Sequence, residues 1–249
     1  MKQLKEIIVG IFVLVIFGAL VIFVYRYESS KTNRELAKRI SELSSRGGPP
    51  ETIEGLRQAI ALYEDQIERN VKEGAQTGVY WKILAVRLAD KGLHNDALHA
   101  LERAIYYNTE EPTLYYLTGV SAANVAKSKV GFTANAEIER ERYYRLSENS
   151  YLRALELDIV YTKVMYGLAI LYIFELNRPE DAIVYLERYL QLQPSDISAM
   201  FVLARAHYMI ENFQQAVEIY DRIAARTKNQ KQKEEALNNR EFIQRLIYE

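Results

Sequence analysis

The chain has 249 residues, enough for one or two domains, and 49% of them are hydrophobic. Its 32 basic residues nearly balance its 33 acidic residues, so the net charge gives no electrostatic basis for binding nucleic acid. The chain has no cysteine, which excludes disulfides, cysteine-ligated zinc and thiol catalysis. Only 11 glycines and 5 prolines are present, which is typical of a largely helical globular protein.

The first feature along the chain is an uncharged apolar segment. After a short tail of residues 1–6, residues 7–25 contain no charged or strongly polar side chain. A helix of this length spans about 28 Å, close to the roughly 30 Å of bilayer hydrocarbon. The segment is longer than the apolar part of a signal peptide, and no A-x-A-like cleavage site comes after it. We therefore expect an uncleaved transmembrane helix, with a cleaved signal peptide as the alternative.

The charges on either side of this segment give conflicting indications of its orientation. Lys2 and Lys5 precede it, whereas Arg26 and Lys31 begin a longer basic series after it. Counting lysines and arginines would keep the C-terminal part of the chain in the cytoplasm. A short lysine-bearing start joined directly to an apolar run instead resembles a bacterial signal anchor, which exports the C-terminal part of its chain. We expect a single-pass protein of the bacterial inner membrane with its larger domain in the periplasm; the cytoplasmic side is the alternative.

A polar region separates the apolar segment from the rest of the chain. Residues 26–50 end in SSRGGPP, which stops any helix and marks a juxtamembrane stalk or linker. Apolar residues then recur every three or four positions from Ile53 to Val71, which predicts an amphipathic helix over residues 52–73. We assign residues 51–77 to this N-terminal flanking helix and its connection to the next domain.

After this helix, a pattern of small residues at fixed positions occurs four times. Each unit has one small residue in a first helix and another in a second helix, with a turn between them. The separation is 34 residues from Ala85 to Gly119 and again from Ala182 to Ala216. The small residues of the first helices are Ala85, Gly119, Ala169 and Ala204, and those of the second helices are Ala97, Ser147, Ala182 and Ala216.

This pattern resembles the tetratricopeptide repeat (TPR), a 34-residue helix–turn–helix unit with the pattern W-x2-L-G-x2-Y…A-x3-F…P. The resemblance covers about residues 78–230, beginning with Trp81, Leu84 and Ala85. It implies an all-α fold, a right-handed superhelical α-solenoid of about four helix pairs with flanking helices, preceded here by one N-terminal transmembrane helix. Residues 231–249 carry an apolar stripe, and we expect them to form the capping helix that covers the last pair.

The second unit departs from the family pattern. Gly119 and Ser147 are 28 residues apart, against 12 for the equivalent pair in the first unit, so this unit contains a 16-residue insertion. Its first part has loop residues, and Thr133 or Asn135 is placed to cap a lengthened second helix. Insertions in repeats often lie on a binding face, where Phe132 would be an exposed aromatic. A contact through Phe132 and harmless loop growth are both open.

Catalytic and cofactor-binding motifs are absent from the sequence. There is no GxxxxGK[ST], GxGxxG, GxSxG or HExxH. His94 and His99 are five residues apart, so they do not share a helix face as a metal-binding pair would. His207 occupies a position that the repeat fills with tyrosine, which predicts a packed core histidine. We therefore expect the protein not to be an enzyme and to use no metal or cofactor.

The resemblance implies a concave groove, lined by the first helices, that takes segments of partner proteins. The family members that hold chaperone C-termini use a five-residue clamp, of which Lys82 and Lys163 are present here, whereas Val86, Leu117 and Gly167 replace the other three residues. The remaining inward positions predict an apolar, aromatic groove suited to an amphipathic helix or an extended segment, although some of these rings would simply pack between units. The predicted groove residues are Lys82, Tyr116, Val120, Tyr166, Ile170, Phe201, Arg205 and Tyr208.

Two functions are compatible with these features. In the first, the protein is a membrane-anchored scaffold or adaptor that binds protein segments in the groove. In the second, it is a structural subunit of a larger cell-envelope assembly, such as a secretion or flagellar apparatus, and uses its repeats for self-association or fixed contacts. A monomer with an open groove would favour the first function, and concentration-dependent self-association of residues 51–249 would favour the second.

Overall fold

The computed structural model of the chain describes residue 38, residues 52–129, residue 131 and residues 134–248. All regular secondary structure in these residues is helical. The helices are α1 (Ile53–Asp90), α2 (His94–Tyr107), α3 (Pro112–Ser128), α4 (Ala134–Leu157), α5 (Thr162–Phe174), α6 (Pro179–Leu192), α7 (Ile197–Met209), α8 (Phe213–Arg226) and α9 (Gln230–Tyr248). The predicted transmembrane segment, residues 7–25, lies outside the described residues. Within the described part, no helix combines the length and the apolar character needed to cross a bilayer.

The chain divides into two compact units, Met1–Gly74 and Ala75–Glu249. The described part of the first unit is mainly the beginning of α1, where the Thr52 hydroxyl accepts a hydrogen bond from the Gly55 N–H at 3.1 Å. This hydroxyl satisfies one of the free N–H groups at the start of the helix. The helix then continues for 38 residues, so the flanking helix predicted over residues 52–73 and the first repeat helix are continuous.

The second unit is a series of helix–turn–helix pairs. The C-terminal part of α1 pairs with α2, and the next three pairs are α3 with α4, α5 with α6, and α7 with α8. The first helices also contact one another, α3 against α5 and α5 against α7, and α9 packs on α8. This arrangement confirms the predicted all-helical repeat fold, and the last helix packs against the last pair.

The turn between the helices of a pair has the same backbone conformation in three of the four units. Gly92, Asn177 and Glu211 each lie five residues before the small residue of the second helix, and all have positive φ, at 76°, 50° and 59°. Glycine adopts this conformation readily, and asparagine tolerates it better than most residues. The shared position of the turn explains why the two helices of each of these pairs meet in the same register.

The small residues predicted from the sequence lie where the helices pack. Ala97, Ala169, Ala182, Ala204 and Ala216 are completely buried, and Ala85 is almost so. In the second unit, the Ser147 hydroxyl donates a buried hydrogen bond to the Gly119 carbonyl at 2.8 Å. A Cβ atom on Gly119 would lie 2.6 Å from the Tyr151 ring, so a larger residue would force the two helices apart.

The insertion in the second unit mainly lengthens its two helices. α3 has 17 residues and α4 has 24, against 13 or 14 in each of the helices α5 to α8. The extension is tied to the end of α5, because Glu175 accepts a hydrogen bond from the Tyr144 hydroxyl and pairs with Lys127 at 2.9 Å. Phe132, the predicted aromatic contact, lies outside the described residues.

Candidate protein-binding site

Three aromatic residues occupy equivalent positions in successive first helices, three residues before the small residue. Each is half-buried, and each ring lies beside a tyrosine of the second helix of its own unit. One part of every ring therefore packs within the repeat, and only the remainder is accessible to a partner. The ring centroids are separated by 6.2 Å for Tyr116 and Tyr151, 5.4 Å for Tyr166 and Tyr189, and 6.0 Å for Phe201 and Tyr220.

The predicted groove residues of the earlier units offer little free binding capacity. Lys82 forms an ion pair with Glu111, the residue that precedes α3, so its charge is neutralised within the chain. Val120 and Ile170, which follow the small residues of α3 and α5, are both half-buried. Val120 also packs against the main cluster of buried apolar residues. This part of the face is therefore apolar but largely occupied by contacts within the chain.

The last three predicted residues, Phe201, Arg205 and Tyr208, come together in a pocket at the C-terminal end of the repeats. The pocket has a volume of about 410 Å³, which lies within the range of about 300–1,000 Å³ seen for small-molecule sites. α9 completes it by packing beside the last pair. The other lining residues are Phe174, Val202, Met209, Tyr220, Glu235, Asn239, Phe242 and Ile243.

Three of the five aromatic residues that line this pocket are exposed. Phe174 is 47% exposed, Tyr208 36% and Phe242 51%. The Tyr208 ring lies 5.9 Å from that of Phe213 and 6.3 Å from that of Phe242, centroid to centroid. These contacts hold the rings in place while leaving their outer surfaces open, which is what an apolar anchor of a partner would require.

Arg205 brings a positive charge to the pocket, and Glu235 brings a negative one to the same lining. The Arg205 side chain is exposed, and its guanidinium lies 4.9 Å from the centroid of the Phe174 ring, a distance at which the cation and the ring attract each other. Among the described carboxylates none forms an ion pair with Arg205. The charge is therefore available to a partner, next to the exposed rings.

Burial shifts the pKa of two polar groups near the pocket in the direction that favours their neutral forms. Burial raises the pKa of the Tyr220 hydroxyl, and a hydrogen bond with Asn239 only partly opposes this effect. Burial lowers the pKa of His207, and the carboxylate of Glu187 only partly opposes this effect. His207 is only 7% exposed, as expected for a core histidine. Within the described residues, no group of three His, Cys, Asp or Glu side chains could hold a metal ion.

The sequence does not identify Phe174, Tyr220 and Phe242 as residues of this site. It indicates Phe242 only as part of the apolar stripe of the capping helix. The missing information is that α9 packs beside the last pair and adds a wall to the same face. A repeat-based alignment of α9 with the first helices would have indicated this position.

Comparisons with known proteins agree with the repeat fold. Residues 174–234 match the family model described as tetratricopeptide repeat. A TPR repeat-containing protein of Borreliella burgdorferi is 21% identical over 206 residues, which cover 82% of this chain and 87% of that protein.

Solved structures of similar fold cover most of the chain. TTC0263, a thermophilic TPR protein of Thermus thermophilus, has a TM-score of 0.51 and 15% identity, with 82% of this chain and 97% of that chain covered. Residues 41 to the end of MamA from Desulfovibrio magneticus RS-1 give a TM-score of 0.51 and 14% identity, with coverages of 69% and 96%. YrrB, described as a TPR protein with an unusual peptide-binding site, gives 0.50 and 17%, with coverages of 71% and 91%. Residues 174–234 therefore match a tetratricopeptide repeat, and the solved structures share the helical repeat fold of the chain.

Proposed function

We propose that the protein is a scaffold or adaptor that binds a segment of a partner protein in the pocket formed by Phe201, Arg205, Tyr208 and α9. This pocket is the observation that carries the proposal, because it combines exposed aromatic rings with a cation that forms no ion pair with any carboxylate in the described part of the chain. TPR proteins generally act through protein–protein contacts rather than catalysis, and YrrB is described as having a peptide-binding site. Both facts support a binding role.

The chemistry of the pocket favours one kind of segment. Aromatic walls and a volume of about 410 Å³ suit an apolar anchor, such as an aromatic or branched aliphatic side chain. The free guanidinium of Arg205 suits a carboxylate close to that anchor, since arginine pairs with carboxylates through two parallel hydrogen bonds. We therefore expect the partner segment to present an apolar side chain next to an aspartate, a glutamate or a C-terminal carboxylate.

The experiment has two steps. A photoreactive phenylalanine analogue at position 242 in the full-length chain captures the partner, which is identified by mass spectrometry. The binding segment is then synthesised, and its affinity is measured for the wild-type chain and for variants of the pocket. The same analogue at Tyr106, an exposed tyrosine on α2, shows which products arise from random contact.

Loss of an aromatic ring from the pocket should strongly weaken binding of the partner segment without unfolding the repeats. Tyr208→Ala and Phe201→Ala should each cost about 2 kcal/mol of binding, a typical effect of removing an interface hot spot. Arg205→Gln should reduce the preference for acidic segments, and Tyr106→Ala should change nothing. If the pocket variants bind as well as wild type but deletion of residues 127–134 abolishes binding, the insertion is the binding surface and the proposal is wrong.

We also propose that residues 7–25 anchor the protein in the bacterial inner membrane, with the repeats on the periplasmic side. The uncharged 19-residue run supports this location. A carbonate wash tests the anchor, since release of a shortened soluble product would identify a cleaved signal peptide instead. Protease protection of the same membranes determines the side.

A further inference from the structure

The N-terminal part of α1 carries a row of large apolar side chains that the described chain leaves exposed. Their exposed fractions range from 39% to 72%. Contiguous apolar surface of this kind usually marks a contact with another molecule. The row, named here the stalk stripe, consists of Ile53, Leu56, Ile60, Tyr63, Ile67 and Val71.

The spacing of the stalk stripe is that of a coiled coil. From Ile53 to Ile67 the steps are three, four, three and four residues, which places isoleucine at three successive a positions of a heptad. The d positions are Leu56, Tyr63 and Asn70. Isoleucine at a combined with leucine at d favours a parallel dimer of helices. Here isoleucine fills all three a positions, and Leu56 is the leucine among the three d positions.

Two ion pairs of this part of α1 lie away from the stripe. Ion pairs between Asp65 and Arg69, at 3.1 Å, and between Glu68 and Lys72, at 2.6 Å, occupy the outer b, c and f positions. A coiled coil places its charges in the same way, with the apolar seam between the helices and the ion pairs in solvent.

The positions beside the seam allow a parallel pair of identical helices. In such a pair each g residue faces the e residue five positions later on the other copy. These facing pairs are Ala59 with Glu64, and Gln66 with Val71, so no like charges oppose each other. The next a position is Gly74, which has no side chain, and the first compact unit ends at this residue. The seam therefore ends where the repeat unit begins.

We infer that residues 53–73 form a parallel coiled coil with the same residues of a second copy of this chain. A second copy is the partner that fits, because it presents the same heptad spacing and a symmetric pair buries both stripes at once. The dimer would bring together two repeat units, each with its own C-terminal pocket. Two chains anchored through residues 7–25, as proposed above, would also enter the coiled coil in the same direction.

The absence of native cysteine allows a direct test by disulfide cross-linking of the full-length chain in native membranes. A disulfide requires Cα atoms within about 7 Å of each other. In a parallel pair Ile53→Cys faces its own copy and should give a dimer of twice the chain mass after mild oxidation. Gln58→Cys lies at an f position on the outer side and should stay monomeric.

The orientation is tested by the same reagents. In an antiparallel pair Ile53 would lie opposite the region of Asn70, about 25 Å from the other Ile53. Mixing Ile53→Cys with Asn70→Cys chains would then give the dominant dimer, and the parallel arrangement would be wrong. Equal dimer yields from Ile53→Cys and Gln58→Cys would show random collision and overturn the proposal.

A second measurement does not depend on cross-linking. Light scattering of the detergent-solubilised full-length protein should give the protein mass of a dimer. The double variant Ile60→Lys and Ile67→Lys should give the mass of a monomer with its helical circular dichroism largely retained, because both lysines lie on the seam and outside the repeat unit. A wild-type protein that is monomeric, or a double variant that remains dimeric, contradicts the coiled coil.

Discussion

The helix α8 and the first part of α1 have the same kind of amphipathic pattern but opposite environments. In α8, Ala216, Ile219 and Ile223 are at most 1% exposed, because α7 and α9 cover them. In α1, Ile53, Ile60 and Ile67 are between 55% and 72% exposed. Apolar residues every three or four positions therefore predict that a helix has a face to bury, but not what will cover it.

The residue types on the apolar face indicate what will cover it. The buried stripes of the repeat helices include alanine or glycine, and these residues let the neighbouring helix of the same chain approach closely. The stalk stripe has only large residues, and from Ile53 to Ile67 they are spaced at the average of 3.5 that suits two supercoiled helices. Small residues at fixed places thus indicate packing within the chain, whereas an unbroken row of large ones indicates packing between chains.

The largest expected difference in the free energy of unfolding is between the same substitution, isoleucine to alanine, made in α8 and in α1. Ile223→Ala removes a fully buried side chain from α8 and should lower the free energy of unfolding by about 2–5 kcal/mol. Ile67→Ala, at a side chain that is 61% exposed, should change it by less than about 0.5 kcal/mol in the monomer. Urea unfolding of residues 51–249, followed by circular dichroism at several protein concentrations, measures both values.

The concentration series separates folding from association. For Ile67→Ala the difference from wild type should grow as the protein concentration rises, because association stabilises the folded state of wild type by mass action. The Ile223→Ala difference should be large at every concentration. A large effect of Ile67→Ala at the lowest concentration would show that the stalk stripe is covered within its own chain.

Replacing an alanine by a larger residue should give a smaller difference in the free energy of unfolding between a repeat helix and α1. Ala182 is completely buried in α6, so Ala182→Leu should cost about 1–3 kcal/mol by overpacking. Ala61 is exposed on α1 and lies outside the stripe, so Ala61→Leu should have almost no effect. The same urea experiment compares them, and similar losses from both changes would contradict the assignment of small residues to close helix contacts.

The repeat fold was predictable because its determinants are local and recur. Alanines such as Ala97, Ala182 and Ala216 occupy fixed positions, and one helix–turn–helix unit predicts the next. The continuity of α1 was less predictable, since Gly74 and Gly78 each weaken a helix by about 1 kcal/mol. The residues of the predicted insertion gave no clear indication that most of them extend α3 and α4.

The lining of the candidate pocket was predictable only where its residues repeat. Phe201, Arg205 and Tyr208 follow from their distance to Ala204, and the structure places all three in one pocket. Phe174 and Phe242 come from the end of α5 and from the capping helix, where the repeat pattern no longer fixes positions. The pairing of Lys82 with Glu111 joins neighbouring units, a contact that depends on how the units stack rather than on either unit alone.

The smallest expected effect is a pH dependence of stability, which we expect in the repeats but not in the first part of α1. Burial lowers the pKa of His207 in α7, whereas the unfolded chain has an ordinary histidine pKa of about 6.5. Above that pH both states are neutral at this residue. As the pH falls below it, the unfolded chain takes up a proton that the folded chain resists, so stability is full above a pH of about 6.5 and declines toward the folded pKa.

Urea unfolding of residues 51–249 at about pH 7.5 and about pH 5.5 measures this decline, in a range where most carboxylates stay ionised. His207→Gln should be less stable at the higher pH, because a buried ring is lost, but should show a smaller difference between the two pH values. The first part of α1, residues 53–73, contains no histidine, so dissociation of the stalk dimer should not follow the same pH dependence. If His207→Gln keeps the full pH dependence of wild type, another group titrates in this range, and His207 is not held neutral by its surroundings.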